Sequence, residues 1–152
     1  MKINRENWKW TREPKDFTIS EEKIEIITNP HTDLWQRTYY HFRNDNAPVL
    51  QMKTAERYFS FVVKTEFDSK VRFDQCGVVM YLDSENWLKG SIEYENEVFQ
   101  HLGSVATNNG YSDWAIQIFL IQYFLLAVLF RLVLFRIYNS LIKEKAISYE
   151  HR

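Results

Sequence analysis

The segment from Asp74 to Tyr94 constrains the fold more than any other part of the chain. It contains two runs in which apolar and polar residues alternate, and the polar residues 83–86 separate them. Alternation with a period of two is typical of a β-strand, and a short polar stretch between two such runs is typical of a hairpin. The sequence therefore predicts two antiparallel strands within a larger sheet.

The two faces of this predicted hairpin differ in chemistry, because successive side chains of a strand point to opposite faces. The apolar face carries Cys76, Val78, Met80, Leu82, Leu88, Ile92 and Tyr94. The polar face carries Gln75, Tyr81, Trp87, Lys89, Ser91 and Glu93. We interpret the polar face as an outer surface that binds a ligand. The alternative is a solvated face whose cross-strand charge pairs contribute well under ~1 kcal/mol each.

Short β-rich runs continue along the chain as far as Gly110. They lie at residues 8–10, 17–19, 23–28, 34–42, 58–67 and 99–107, and turn signals such as Asn108-Asn109-Gly110 separate them. In the run 34–42, alternation places Trp35, Arg37, Tyr39 and His41 on one face. No helical periodicity occurs in this part. The sequence therefore predicts an all-β fold, an antiparallel β-sandwich of two packed sheets.

Composition narrows the class of protein. The 152 residues suffice for one domain with its own core, and Cys76 is the only cysteine, as expected in a reducing cytoplasmic compartment. The N-terminus lacks the apolar stretch of a secretory signal. Residues 1–114 hold 14 Lys/Arg against 18 Asp/Glu, so we expect no nucleic-acid partner. The histidines lack ligand spacing, and we expect neither a metal nor a cofactor.

A series of short motifs resembles a known family. In chain order they are Glu13-Pro14, Thr32-Asp33-Leu34-Trp35, Phe42-Arg43-Asn44-Asp45, Asp74-Gln75-Cys76-Gly77, Asn86 to Tyr94, and Ser112-Asp113-Trp114. Over residues 6–114 the chain resembles the yeast regulation-of-enolase family. This family consists of bacterial and fungal domains of unknown function. The resemblance implies a concanavalin-A-like (lectin/glucanase) jelly roll, a cytoplasmic location and a concave sheet face where distant relatives bind sugars.

The C-terminal part departs from this family pattern. Residues 115–130 carry no charge, and residues 115–152 contain neither Gly nor Pro, which favours a long helix. The sequence predicts an incomplete β-sandwich domain over residues 1–114 and an apolar helical tail over residues 115–152. Three interpretations of the tail stay open: an aberrant end from a frameshift or truncation, a membrane anchor over residues 115–135, and a helix that caps the sandwich.

Three functional hypotheses follow. The leading one is non-catalytic binding of a carbohydrate-like or other small polar ligand on the concave face, through Trp35, Gln75, Trp87, Lys89, Glu93 and Trp114. The resemblance implies a second, a cytosolic protein-interaction module that regulates a metabolic enzyme such as enolase. A third, glycoside hydrolase, needs two carboxylates ~5–9 Å apart. The motifs offer only Asp74 and Glu93, which alternation places on opposite faces, so we expect no catalytic residue.

Overall fold

The computed structural model describes residues 7–55, 58–59, 61–120 and 127–130, and for residues 119–120 and 127–130 it describes the backbone. Within these ranges the chain forms strands and no α-helix. The strands are β1 Trp8–Arg12, β2 Asp16–Ile19, β3 Ile24–Ile27, β4 Leu34–Gln36, β5 Arg43–Asp45, β6 Val49–Met52, β7 Phe61–Lys64, β8 Gln75–Asp83, β9 Asn86–Tyr94, β10 Phe99–Asn108, β11 Tyr111–Leu120 and β12 Ala127–Phe130.

A four-stranded antiparallel sheet in the order β11-β10-β9-β8 is the largest element of the fold. Its strands follow one another in sequence through tight turns. At the β8–β9 turn, the Asp83 carboxylate accepts hydrogen bonds from the Glu85 amide at 2.8 Å and the Asn86 side chain at 2.9 Å. At the β10–β11 turn, Asn109 and Gly110 both have positive φ, the combination that a two-residue type I′ turn requires. The predicted central hairpin is confirmed.

The remaining described strands form two-stranded antiparallel pairs: β1 with β6, β2 with β3, β4 with β5, and β7 with β12. The predicted runs 17–19 and 23–28 are present as the hairpin of β2 and β3, with Phe17 opposite Ile26. The all-β class is therefore confirmed, while the packing of two complete sheets into a sandwich stays a prediction.

The polar face of the four-stranded sheet is buried, contrary to our expectation of an outer surface. Lys89 and Glu93 are only 8% and 5% exposed, whereas Leu82 on the apolar face is 58% exposed. The reason is that β4 and the residues around it lie over the polar face. Their Leu34 and Trp35 form the core together with residues of the sheet and of β6, namely Val49, Trp87 and Val105.

The predicted strand over residues 34–42 is wrong beyond its first three residues. Strand β4 ends at Gln36, and Arg37, Tyr39 and His41 have φ values of 54°, 63° and 61°. Residues in the left-handed region cannot continue a pleated strand, so the alternation of side chains breaks there. The chain turns instead, and β5 pairs back onto β4 with Trp35 opposite Asn44.

The predicted C-terminal helix is wrong for the part of that segment that the structure describes. Residues 115–120 extend β11, and residues 127–130 form β12 against β7. Residues such as Ile116 and Ile118 suit a strand, and β10 supplies the ladder partners that stabilise it. Residues 121–126 and 131–152 lie outside the described residues. The division at residue 114 stays a prediction, although β11 runs across it.

Among the residues that the structure describes, no helix is long and apolar enough to cross a bilayer.

Candidate functional site

A buried lysine organises the polar face of the sheet. Lys89 lies in the middle of β9, and its Nζ donates to Gln75 Oε1 at 2.7 Å, to the Leu34 carbonyl at 3.3 Å and to Asp33 Oδ1 at 3.4 Å. The ammonium group thus has three acceptors, as many as it has protons. A buried charge needs such partners, because its transfer from water is otherwise strongly unfavourable.

Asp33 connects the sheet to β4 and the residues around it, which lie over the polar face and which we call the covering segment. Its Oδ1 accepts hydrogen bonds from the Leu34 amide at 2.7 Å and from Gln75 Nε2 at 3.2 Å, in addition to Lys89. Its own amide donates to Asn46 Oδ1 at 2.8 Å. Asp33 therefore holds the start of β4 on the sheet face and neutralises the buried lysine.

Glu93 is a second buried carboxylate on the same strand as Lys89. Ser91 Oγ donates to Glu93 Oε1 at 2.9 Å. Burial raises the pKa of the Glu93 carboxyl, and the Asp33 charge adds to this rise, while Lys89 and Ser91 lower the pKa and only partly offset it. The environment therefore favours the neutral acid more than water does.

Two indole nitrogens at this face have no hydrogen-bond partner. Trp87 Nε1 and Trp114 Nε1 are both shielded from solvent and unpaired. A Cβ atom placed on Gly103 would lie 2.6 Å from Glu93 Oε1 and 3.3 Å from Trp114 Nε1. The carboxylate oxygen and the indole nitrogen therefore both lie close to the same glycine, and a side chain at this position would clash with the Glu93 carboxyl group.

Aromatic rings form the wall of this site on the side of the covering segment. The rings of Trp35 and Trp114 meet edge to face, with centroids 6.4 Å apart and an interplanar angle of 81°. Trp35 Nε1 donates to the Thr38 carbonyl at 3.1 Å, so its polar atom is satisfied. Trp35 is therefore a packed wall residue, whereas Trp114 retains an unused donor.

The structure brings the six predicted site residues to one face. Gln75, Trp87, Lys89, Glu93 and Trp114 lie on the polar face of the sheet, and Trp35 packs against it. Lys89 pairs with Gln75 from the neighbouring strand, whereas Arg37 pairs with Glu85 at 3.6 Å.

Three further residues of this site were not selected from the sequence. The sequence places Asp33 only within a family motif and Ser91 among the residues of the polar face, and it gives Gly103 no role beyond its place in the run 99–107. A side chain that accepts hydrogen bonds, placed immediately before an apolar strand, is the signal that could have identified Asp33. The role of Gly103 depends on its neighbours across strands and has no local signal.

The carboxylates do not form the pair considered for hydrolysis. Asp74 Oδ2 accepts the amides of Lys70 and Val71 at 2.8 and 2.9 Å, so Asp74 caps a turn. The carboxylate that acts on the pKa of Glu93 is Asp33. Among the residues that the structure describes, no group of three or more His, Cys, Asp or Glu side chains could hold a metal ion.

Comparisons with known proteins identify relatives of the chain. The family described as "Protein of unknown function (DUF1349)" matches residues 10–144, a range that extends beyond Trp114. "Regulation of enolase protein 1" of Saccharomyces cerevisiae is 31% identical over 110 residues, which are 72% of this chain and 54% of that protein. A functionally unknown S. cerevisiae protein of solved crystal structure is 28% identical, with a TM-score of 0.60 over 75% of this chain and 60% of that chain. The chain thus spans somewhat more than half the length of these relatives.

Proposed function

The chain belongs to the DUF1349 family of proteins of unknown function, and we propose that it binds a small hydroxylated, carbohydrate-like ligand at its polar sheet face without transforming it. Of the six predicted ligand-binding residues, Trp87, Glu93 and Trp114 contact the ligand in this proposal. Trp35, Gln75 and Lys89 hold them in place through packing and internal hydrogen bonds. Binding takes place between the four-stranded sheet, as part of a concanavalin-A-like sandwich, and the covering segment around β4.

The unmet hydrogen-bonding capacity above Gly103 carries this proposal. A carboxylate oxygen that accepts one hydrogen bond and an indole N–H that makes none converge on the same glycine. Such convergence suits two hydrogen bonds of ~2.9 Å that meet at one oxygen atom. The oxygen of a hydroxyl group can accept a hydrogen bond from Trp114 Nε1 and donate one to Glu93. A charged amine has no lone pair with which to accept, and a carboxylate has no proton to donate.

Electrostatics also favours a neutral ligand. Lys89 already has three acceptors within the protein, so it offers no free donor to an anion. Burial raises the pKa of Glu93 and so disfavours its ionised form. A ligand hydroxyl can donate a hydrogen bond to the carboxylate without burying a further charge. Buried polar groups without partners are uncommon in native proteins, so the unpaired indole donors call for a ligand or an ordered water.

The test is titration of the protein with a panel of monosaccharides, polyols and sugar acids, followed by calorimetry and by two-dimensional NMR. We expect at least one neutral hydroxylated compound to bind and to shift the indole N–H signals of Trp114 and Trp87. Trp114→Phe keeps an aromatic ring but removes the donor, and it should weaken binding roughly tenfold, the effect of losing about 1.4 kcal/mol. Trp10→Phe, in β1 outside the site, is the matched control.

A second variant displaces the Glu93 carboxyl group from its place over Gly103. Gly103→Ala places a methyl group against Glu93 Oε1 and near Trp114 Nε1, and it should abolish binding while circular dichroism stays unchanged. Ser104→Ala, on the opposite and exposed face of β10, should bind as the wild type does. If no compound binds and the indole signals show exchange with water only, the indole donors hold a structural water and the proposal is wrong.

A second candidate function comes from the name of a relative. "Regulation of enolase protein 1" is a name given to a protein 31% identical to this chain, so regulation of a metabolic enzyme through direct contact is the corresponding proposal. The test is to measure enolase activity with added protein. A change in activity that Gly103→Ala leaves intact would support this function and would place the contact away from the polar face.

A further inference from the structure

The loop between β4 and β5 presents an exposed group of aromatic side chains. Tyr39 is 81% exposed, and Tyr40 and Phe42 are each 44% exposed. Large apolar side chains that are exposed together, rather than singly, mark interaction sites in soluble proteins. We name this group, Tyr39, Tyr40 and Phe42, the aromatic loop surface.

The rings of the aromatic loop surface are packed on one another in a defined order. Tyr40 lies at the centre: it stacks on Phe42 with centroids 5.6 Å apart and an angle of 25°, and it meets Tyr39 edge to face at 4.8 Å. On its inner side Tyr40 contacts Trp35 at 5.6 Å. The surface is thus preorganised, which lowers the entropy cost of binding a flat partner.

The backbone beneath these rings is held in an unfavourable conformation. Arg37, Tyr39 and His41 all have positive φ, which costs a non-glycine residue free energy. Backbone hydrogen bonds from Arg37 N to Phe42 O at 2.8 Å and from His41 N to Arg37 O at 2.6 Å hold the loop closed. Such conformations persist where the surrounding structure imposes them, often at ligand-binding positions.

The aromatic loop surface is linked to the candidate site through the ring of Trp35, which is itself 7% exposed. Trp114 contacts Trp35, and Trp35 contacts Tyr40, with centroid distances of 6.4 and 5.6 Å. A single ring, that of Trp35, therefore connects the Tyr40 ring to the Trp114 ring. A ligand that extended from the candidate site past Trp35 would therefore reach Tyr40.

Charges near the loop disfavour an anionic partner, because both arginines there are already paired. Arg37 donates to the Gly110 carbonyl at 2.9 Å and lies 3.6 Å from Glu85. Arg43 donates to Gln36 at 2.9 Å and to Glu85 at 3.1 Å. The partner that fits is a neutral ring with an apolar face that packs on the aromatic rings and hydroxyl groups at its edge.

We propose that the aromatic loop surface is a second subsite for the same ligand, so that the ligand is a chain of sugar-like rings rather than a single ring. This inference rests on the proposed function, since it takes the first ring to occupy the site at Glu93 and Trp114. One ring binds there by hydrogen bonds, and a later ring packs on Tyr40 and its neighbours.

The experiment compares glucose with linear gluco-oligosaccharides of two to six units, in β-1,3, β-1,4 and α-1,4 linkage, by calorimetry. We expect one linkage series to gain affinity with length, by roughly tenfold over the monosaccharide. Tyr40→Ala should return the oligosaccharide to the affinity of the monosaccharide and leave monosaccharide binding unchanged. Tyr40→Phe keeps the ring and should retain the gain, and Leu82→Ala, an exposed apolar residue on the other face, should have no effect.

The outcomes separate this inference from the proposed function. Monosaccharide binding without a gain for any oligosaccharide would overturn the second subsite and leave the first intact. Absence of all binding would overturn both. Self-association in sedimentation experiments that Tyr39→Ala abolishes would identify a second copy of the chain as the occupant of the surface and would also overturn the subsite.

Discussion

Replacement of the buried lysine by an isosteric apolar residue is the sharpest test of the polar network. Lys89→Met keeps most of the aliphatic side chain, so the loss of packing is small. The variant removes the donor to Gln75 Oε1 at 2.7 Å and to the Leu34 carbonyl at 3.3 Å, and it leaves Asp33 without its counter-charge. Loss of one partner of a buried charged network costs about 2–4 kcal/mol, which we expect as the decrease in the free energy of unfolding at pH 7.5.

The size of this decrease should depend on pH. The Lys89 charge lowers the pKa of Glu93, so the variant raises that already elevated pKa further. A carboxyl group with a raised pKa in the folded state contributes stability below its unfolded pKa, and this contribution is lost as pH rises through the folded value. The difference in stability between variant and wild type should therefore be smaller at pH 5 than at pH 7.5.

Urea denaturation followed by circular dichroism, at both pH values, measures the effect. Lys70→Met is the matched control, because Lys70 forms an exposed ion pair with Asp68 at 3.0 Å and should change stability by less than about 0.5 kcal/mol. A loss below about 1 kcal/mol for Lys89→Met, or a loss that is the same at pH 5 and pH 7.5, would refute the idea that this lysine organises the site.

Further predictions concern other parts of the fold. Tyr81→Phe removes a hydroxyl that donates to both oxygens of Asp45 at 2.9 and 3.0 Å, and urea denaturation should show a loss of about 1–2 kcal/mol. Burial raises the pKa of the Cys76 thiol, so iodoacetamide at pH 8 should modify the native protein far more slowly than the urea-unfolded chain, as measured by mass spectrometry. Gln36→Leu leaves the Ser84 carbonyl without the donor that now lies 2.8 Å away, and thermal unfolding should show a cost of about 1–3 kcal/mol.

Local pattern was sufficient for the central hairpin. The alternation on both sides of residues 83–86 is strong, the strands pair with each other, and the turn residues hydrogen-bond within the turn. The membership of the polar face follows from the same period, so Gln75, Trp87, Lys89 and Glu93 could be assigned to one face without knowledge of the rest of the fold.

The identity of the covered face could not be read in this way. Alternation tells which side chains share a face, but the contacts of Lys89 with Asp33 and Leu34 join distant parts of the chain. A buried lysine at this place is stable only because those distant acceptors exist, so its burial is a property of the tertiary structure. The predictions for residues 37–41 and 115–120 were wrong for related reasons. Neither a positive φ in a non-glycine residue nor the pairing of an apolar run with β10 has a clear local signal in the sequence.

The long reach of the Asp33 contacts has a consequence for folding kinetics. Strands β8 to β11 are joined by short turns and can form by successive local steps. The covering segment closes on them through Asp33, whose partners Gln75 and Lys89 lie 42 and 56 positions away in the sequence. We expect the sheet to be largely formed in the transition state for folding and the segment to dock after it. Lys89→Met should then accelerate unfolding while the folding rate stays nearly constant.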